Sequence, residues 1–316
     1  MKIFMSKKMK VFLSILAVIS IGCYISAAIV LYNSDFKIAN YVPRWNENSD
    51  FDFDFDFHSG KCKELGSIEK EFSSDLENIN INTSSADIKV EFYTGESLKI
   101  TGRLYALGDM NISDIIKDVS SLNNTLSMDI TPYSYDNLKL DIFIPDSYKG
   151  NLNINSTGGD NQILGGELNN LSLKSTSGEF LINNLTLKDL SVKTSSGDIE
   201  LLYVNSNISN LNTTSGDIET SVCNLGELNS SSSSGEIDLN LSSLGNNSKI
   251  SSTSGDIELS ISESIGYTLT FNTSSGNIES NRLPIKFIND NNYSINTGDS
   301  SKNVEIKTSS GDLYIG

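Results

Sequence analysis

Apolar residues in this chain recur at every second position in short runs that flank a repeated Ser/Thr-Gly motif. The motif reads Ser-Thr-Gly-Gly at 156–159, Ser-Thr-Ser-Gly at 175–178, Thr-Ser-Ser-Gly at 194–197 and Thr-Thr-Ser-Gly at 213–216. It continues at 232–235, 252–255, 273–276 and 308–311. Gly159, Gly178, Gly197, Gly216 and Gly235 follow one another at 19 residues, Gly255 and Gly276 at 20 and 21, and Gly311 after 35. The last gap is close to two units with one motif lost around Thr297-Gly298, and a degenerate early copy stands at 83–88 with Ala86 in place of glycine.

Aligned on the glycine, the apolar residues form columns. Seven and five residues before it stand Leu171/Leu173, Leu190/Val192, Leu269/Phe271 and Val304/Ile306, with Leu152/Ile154 and Ile79/Ile81 in the earlier copies. Two and four residues after it stand Phe180/Ile182, Ile199/Leu201, Ile237/Leu239, Ile257/Leu259 and Leu313/Ile315. Period two on both sides of a Gly corner predicts strand, turn, strand. The parity flips across the corner, so the turn must rotate the chain, and glycine supplies a positive φ there without steric cost. A 19-residue unit cannot bury its own apolar face, but stacked units share a continuous core. The expectation is an all-β chain: a single-stranded β-helix, or β-solenoid-like repeat, of ~19-residue coils spaced about 4.8 Å along the stack.

The residue after each glycine is Asp160, Glu179, Asp198, Asp217, Glu236, Asp256, Asn277 and Asp312. A carboxylate column at that spacing is self-repulsive. Each acid either caps its own turn, as Asx side chains do, or joins a line of weak divalent-cation sites. Residues 68–150 read as an irregular first stretch of the same domain. Strand-like runs cover 98–101, 126–130 and 138–144, and 111–119 has the composition of a short helix.

The N-terminal pattern differs. Residues 1–10 carry Lys2, Lys7, Lys8 and Lys10 and no acid, and an apolar run of 22 residues follows over 11–32. At 1.5 Å per residue it reaches about 33 Å, enough for a bilayer core of roughly 30 Å. Basic residues on its N-terminal side place that side in the cytoplasm. The run therefore predicts a single-pass signal-anchor with residues 33–316 exported. Cleavage after the small residues at 26–28, or lipidation of Cys23, are the alternatives and give the same location. Residues 33–67 form an acidic, aromatic linker in which Phe51, Phe53, Phe55 and Phe57 alternate with Asp52, Asp54 and Asp56. That alternation gives a strand with one Phe face and one Asp face, fit for docking, for a partner, or less readily for a metal.

Composition narrows the chemistry. The chain carries 40 acids against 23 bases, a net charge of −17, and −21 without the four N-terminal lysines. Nucleic acid is excluded as a partner by the lack of any basic patch. One histidine, His58, and three arginines leave little for His-based catalysis or His-rich metal sites. Cys62 and Cys223 lie 161 residues apart and read as isolated thiols rather than a disulfide framework.

The anchor, the acidic spacer, and the strings INTSSADIKVE, LDIFIP and KTSSGDIEL together resemble the bacterial putative-adhesin family of β-strand-repeat domains. Members are found in membrane-anchored proteins of Gram-positive bacteria, and the resemblance covers residues 68–316. It implies a β-solenoid-like ectodomain on the cell surface and no catalytic residues, cofactor or resident metal. The expected function is non-enzymatic: adhesin-like, partner-binding or scaffolding, toward an envelope protein or wall polymer. An accessory or sensing role in an envelope-stress system is the alternative. A carbohydrate-active β-helix enzyme ranks below both, because acids at one repeat position single out no catalytic pair.

Overall fold

The computed structural model describes residues 62–71, 75–105, 111–130, 138–261, 266–280, 284–289, 292–297 and 302–316. The apolar run at 11–32, Cys23, the Phe/Asp alternation at 51–57 and Gly298 lie outside the described residues. Within them are 24 strands and one four-residue helix, Ile112–Ile115. No helix among the described residues is long and apolar enough to cross a membrane.

Each coil of the repeat contributes a long strand and a short one. Glu167–Lys174 pairs in parallel with Thr186–Lys193, which pairs with Asn205–Asn212, and so on up the stack. Phe180–Asn183 pairs likewise with Ile199–Leu202, and Ile199–Leu202 with the start of Ile218–Ser232. The aligned apolar columns are the core: Leu171, Leu173, Phe180, Ile182, Leu190, Val192, Ile199 and Leu201 are each at most 1% exposed. Complete burial of such a side chain contributes roughly 1.5–3 kcal/mol. A further interior column comes from Leu168, Leu187, Ser206 and Leu225. Two outward residues in succession, such as Asn169 and Asn170, separate it from the next interior position and bend the long strand.

The repeat glycines are required for a reason other than the one their spacing suggests. Among them only Gly159 has a positive φ, at 82°. At Gly178, Gly197, Gly216, Gly235, Gly255, Gly276 and Gly311 a Cβ would instead lie under 3.0 Å from the carbonyl oxygen of the corner glycine stacked beneath it. The corner is thus a column of backbone-to-backbone contact that admits no side chain. Three residues before each glycine, a Ser or Thr hydroxyl accepts its N–H: Thr194 for Gly197 at 3.1 Å, Thr213 for Gly216 at 3.1 Å, Ser232 for Gly235 at 2.9 Å. Positive φ recurs at the opposite corner, at Gly165, Asn184, Tyr203 and Val222, again 19 residues apart.

Coils do not stack in chain order at either end. Asn78–Asn82 and Asp87–Tyr93 lie between the coil of Thr125–Ile130 and Leu138–Pro145 on one side and that of Asn151–Asn155 and Asn161–Leu164 on the other. The early copy at 83–88 is therefore a true coil, second in its stack. At the other end, Lys302–Thr308 and Leu313–Ile315 lie between the coil of Ser248–Ser252 and Ile257–Ile261 and the coil of Tyr267–Thr273 and Ile278–Ser280. The 35-residue gap before Gly311 is accordingly no lost coil. It holds an antiparallel hairpin, Lys286–Asn289 with Asn292–Thr297, laid against Tyr267–Thr273.

Antiparallel strands also close the first end. Ser97–Tyr105 pairs with Leu138–Pro145 and with Cys62–Glu71, and Ile116–Leu122 pairs with Thr125–Ile130. Strand Cys62–Glu71 starts within the residues read as linker. The helix over 111–119 shrinks to Ile112–Ile115, since the register of Ile116–Leu122 against Thr125–Ile130 draws the remaining residues into a strand.

Candidate functional site

The short-strand sheet carries a dense arrangement of charge. Asp160, Glu179, Asp198, Asp217, Glu236, Asp256 and Asp312 stand one per coil at its edge. Their role as caps differs from the expectation. Each aspartate caps the neighbouring coil and not its own: Asp160 Oδ1 accepts the Glu179 N–H at 3.1 Å, Asp198 that of Asp217 at 2.8 Å and Asp217 that of Glu236 at 2.7 Å. Asp256 accepts from Asp312 at 2.7 Å, and Asp312 from Asn277 at 2.6 Å, so the relay passes through the inserted coil. Asp87 begins it by accepting from Asp160 at 3.0 Å. Among the described residues the relay is interrupted after Glu179 and Glu236, the two positions where glutamate stands in place of aspartate.

A second acidic column, missed in the sequence reading, lies two residues further on. Glu200 pairs in register with Glu219, Glu219 with Asp238, and Asp238 with Glu258. Tyr314 and Glu279 extend it through the inserted coil. The signal was the Asp-Ile-Glu of the motif: residues two apart on a strand share a face, so the buried isoleucine leaves an acid on either side pointing outward. None of the strands Phe180–Asn183, Ile199–Leu202, Ile218–Ser232, Ile237–Leu244, Ile257–Ile261, Leu313–Ile315 and Ile278–Ser280 contains Lys or Arg.

The crowding changes proton affinity. Partial burial, followed by the charges of Glu200, Asp238, Asp217 and Asp198, pushes the Glu219 carboxyl above its ordinary value. Burial, then Asp160, Asp198 and Glu200, does the same to Glu179, and burial alone raises Asp238. Tyr314 is raised by burial and then by Asp312, Asp256 and Glu279. Both columns act on the same groups, so they form one electrostatic surface.

Among the described residues no three His, Cys, Asp or Glu side chains converge as an ion-holding set. The geometry gives a reason: the ladder acids project side by side about 4.8 Å apart, and one oxygen of each relay aspartate is committed to a backbone N–H. Cys223 is buried with a free thiol.

The long-strand sheet presents a different surface. Asparagines stack through their amides, Asn151 donating to Asn78 at 2.8 Å, Asn153 to Asn80 at 2.9 Å and Asn224 to Asn205 at 2.6 Å. At the first end of the stack a cleft of about 1390 Å³ is lined by Glu69, Glu77, Tyr93, Glu96, Lys99 and Tyr148, among others. Its polar groups serve the fold. The Tyr148 hydroxyl lies 2.6 Å from the Asn151 carbonyl and 3.1 Å from that of Glu77, and burial raises its pKa well above the phenol range. The Tyr93 hydroxyl donates to the Ser97 carbonyl at 2.5 Å, and Glu69 is engaged by the Ser97 hydroxyl and by Lys99, which hold its carboxyl below the ordinary value.

Comparison with known proteins finds no match among curated sequences. Among solved structures, a "putative adhesin" from Parabacteroides merdae is similar at 14% identity and a TM-score of 0.47, covering 82% of this chain and 98% of its own. A "putative adhesin" from Bacteroides fragilis is 17% identical with a TM-score of 0.45, covering 80% and 97%. A "putative lipid binding protein" from Parabacteroides distasonis is 17% identical with a TM-score of 0.38, covering 82% and 98%. Stacked coils with a Gly-Asp corner occupy most of residues 117–316, the stretch matched by the sequence profile of the Toastrack DUF4097 family, and the chain belongs to that family.

Proposed function

We propose that this protein is a non-enzymatic, membrane-anchored binding module of the cell envelope, and that its acidic face is the docking surface for a cationic partner. One observation carries the reading: two columns of carboxylates run along the short-strand sheet, and its strands from Phe180–Asn183 through Ile257–Ile261 and Leu313–Ile315 to Ile278–Ser280 hold no Lys or Arg. Carboxylates that raise one another's proton affinity are relieved by an incoming cation, which gives such a face a standing attraction for a basic segment. The partner is a basic extended polypeptide or the basic surface of an envelope protein. The anchor is the apolar run at 11–32, with the β-repeat domain on the outer side of the membrane.

The test is capture from a cell-envelope extract at low and high salt. Attraction between exposed charges is screened over about 10 Å at 0.1 M salt. Capture that falls steeply with salt, and is lost when Glu200, Glu219 and Glu258 are changed together to Gln, supports the reading. Those three side chains face outward and cap no turn, so the variant removes charge and leaves the relay in place. Capture unaffected by the triple change assigns binding elsewhere, and release of a processed sugar or peptide during incubation points to an enzyme.

A further inference from the structure

The last coil in sequence is not the last in space. Lys302–Thr308 fills a slot between Ser248–Ser252 and Tyr267–Thr273, and Leu313–Ile315 one between Ile257–Ile261 and Ile278–Ser280. Both walls of the slot precede residue 302 in the chain. Sequence made later must therefore enter between coils made earlier. At the opposite end the order is reversed: the interposed coil, Asn78–Asn82 with Asp87–Tyr93, precedes both of its neighbours, which can be laid on it in turn.

The slot reads a pattern common to all coils. It takes apolar side chains at Val304, Ile306, Leu313 and Ile315, each at most 2% exposed. It requires a bare glycine at 311, where a Cβ would overlap the Gly255 carbonyl, and an aspartate at 312 that passes the relay from Asp256 to Asn277. Residues 302–316 of another copy satisfy every one of these requirements.

A second observation marks the same end of the stack. Among the described residues the hairpin strand Lys286–Asn289 is paired on one side only, and it exposes Phe287 at 61%, Ile288 at 51% and neighbouring Ile285 at 37%. Tyr293 packs edge-on to Phe287, with ring centroids 5.6 Å apart, and so holds that ring in place. An apolar cluster on a one-sided strand, in a chain of net charge −17, fits another apolar strand far better than solvent. We propose that two copies of this chain exchange residues 302–316, each filling the other's slot, and that the apolar hairpins are covered where the two copies meet. Exchange of an identical element creates a dimer with no new core contacts, which makes its thermodynamic cost low.

The experiment uses two full-length chains produced together, one carrying Ser251→Cys and the other Lys307→Cys. These positions are register partners on adjacent parallel strands, about 4.8 Å apart and within the roughly 4.4–6.8 Å that a disulfide accepts. Exchange yields an interchain disulfide between positions 251 and 307, mapped by mass spectrometry, in a species of twice the monomer mass. A chain carrying both substitutions, isolated as monomer, closes the bond within itself. An intrachain bond in the double variant without any interchain bond in the mixture overturns exchange, and failure of the intrachain bond overturns the slot itself. Independently, Phe287→Asp with Ile288→Asp alters only exposed side chains and should shift the dimer to monomer in light scattering. Dimer mass unchanged by that variant would remove the hairpins from the contact and overturn the proposal in this form.

Discussion

The carboxylate of Asp198 accepts the backbone N–H of Asp217, one coil further along, at 2.8 Å. The same bond recurs from Asp217 to Glu236 at 2.7 Å. A column that looks self-repulsive is thus part of what holds successive corners in register: each relay aspartate accepts from a donor that the next turn would otherwise leave unpaired.

This relay separates charge from capping. Asn at position 198, 217 or 256 keeps an oxygen that accepts the same N–H, whereas Ala leaves the donor without a partner. Each Asp→Ala change should cost about 1 kcal/mol, in line with loss of a side-chain cap. Each Asp→Asn change should be neutral or slightly stabilising, because it also removes a like charge from the column. Urea unfolding of the six single variants distinguishes the two series. Equal losses for Asn and Ala would mean that the charge, and not the acceptor, is what matters.

The corners show which parts of the fold were legible in the sequence. The columns of Leu171, Leu173, Phe180 and Ile182 were plain, because period two and a 19-residue repeat both select them. The column through Leu168 and Ser206 was not, because two consecutive outward residues break the alternation before it. Glu200 and Glu219 were overlooked because they flank an isoleucine read only for its burial. Coil order was illegible for a different reason: every coil offers the same Gly-Asp corner, so pattern alone does not say which coil lies on which. The left-handed corner was hidden because Gly165, Asn184, Tyr203 and Val222 share no residue type.

Those two corners predict opposite responses. At Gly216 the backbone φ is not positive, so an added methyl is excluded by what it would meet: the Gly197 carbonyl first, and then the Asp198 carboxylate. Gly216→Ala should separate the coils locally and cost at least ~3 kcal/mol, in the range of severe single substitutions. Val222 is a β-branched residue at φ 54° with 44% of its surface exposed. Left-handed backbone costs such a residue roughly 1–2 kcal/mol, and little burial is lost on replacing it. Val222→Asn should therefore stabilise by about 1 kcal/mol and raise Tm by roughly 2–4 °C. Calorimetry of both variants is the check, and a destabilised Val222→Asn would contradict the strain assignment.

Inside the fourth regular coil, Ser206 and Ser209 replace the leucines of neighbouring coils, and their hydroxyls lie 2.5 Å apart. Both are buried, at 8% and 0% exposed. Removing one hydroxyl leaves the other without this partner, so Ser206→Ala or Ser209→Ala alone should cost about 1–3 kcal/mol. The double change to alanine removes both polar groups together and should cost less than the sum of the singles by 0.5 kcal/mol or more. A double-mutant cycle measures this coupling directly, and additive losses would show that the hydroxyls act independently.

The acidic face should also make stability rise as the solution is acidified from neutrality. Glu179 and Glu219 have folded-state pKa values above the ordinary 4.5, and Asp238 one above the ordinary 3.8. A carboxyl whose pKa is higher in the folded state binds protons more tightly there than in the unfolded chain. Its ionised form therefore opposes folding, fully so above the raised pKa, and this opposition fades as pH falls through that value toward the ordinary one. Glu69 and Glu305 work in the other direction: their carboxyls are held below 4.5 by hydrogen bonds and lysines, so what they contribute is lost as pH falls below 4.5 through their folded values. The thermal midpoint should accordingly rise from pH 7 toward acid and turn over only once these carboxylates protonate. Glu219→Gln isolates the effect, because it removes the group whose charge is opposed by both acidic columns. Its midpoint should exceed that of the native chain at pH 7, and the difference should shrink as pH approaches 4.5. A midpoint difference independent of pH would place the gain in packing and not in the acidic face.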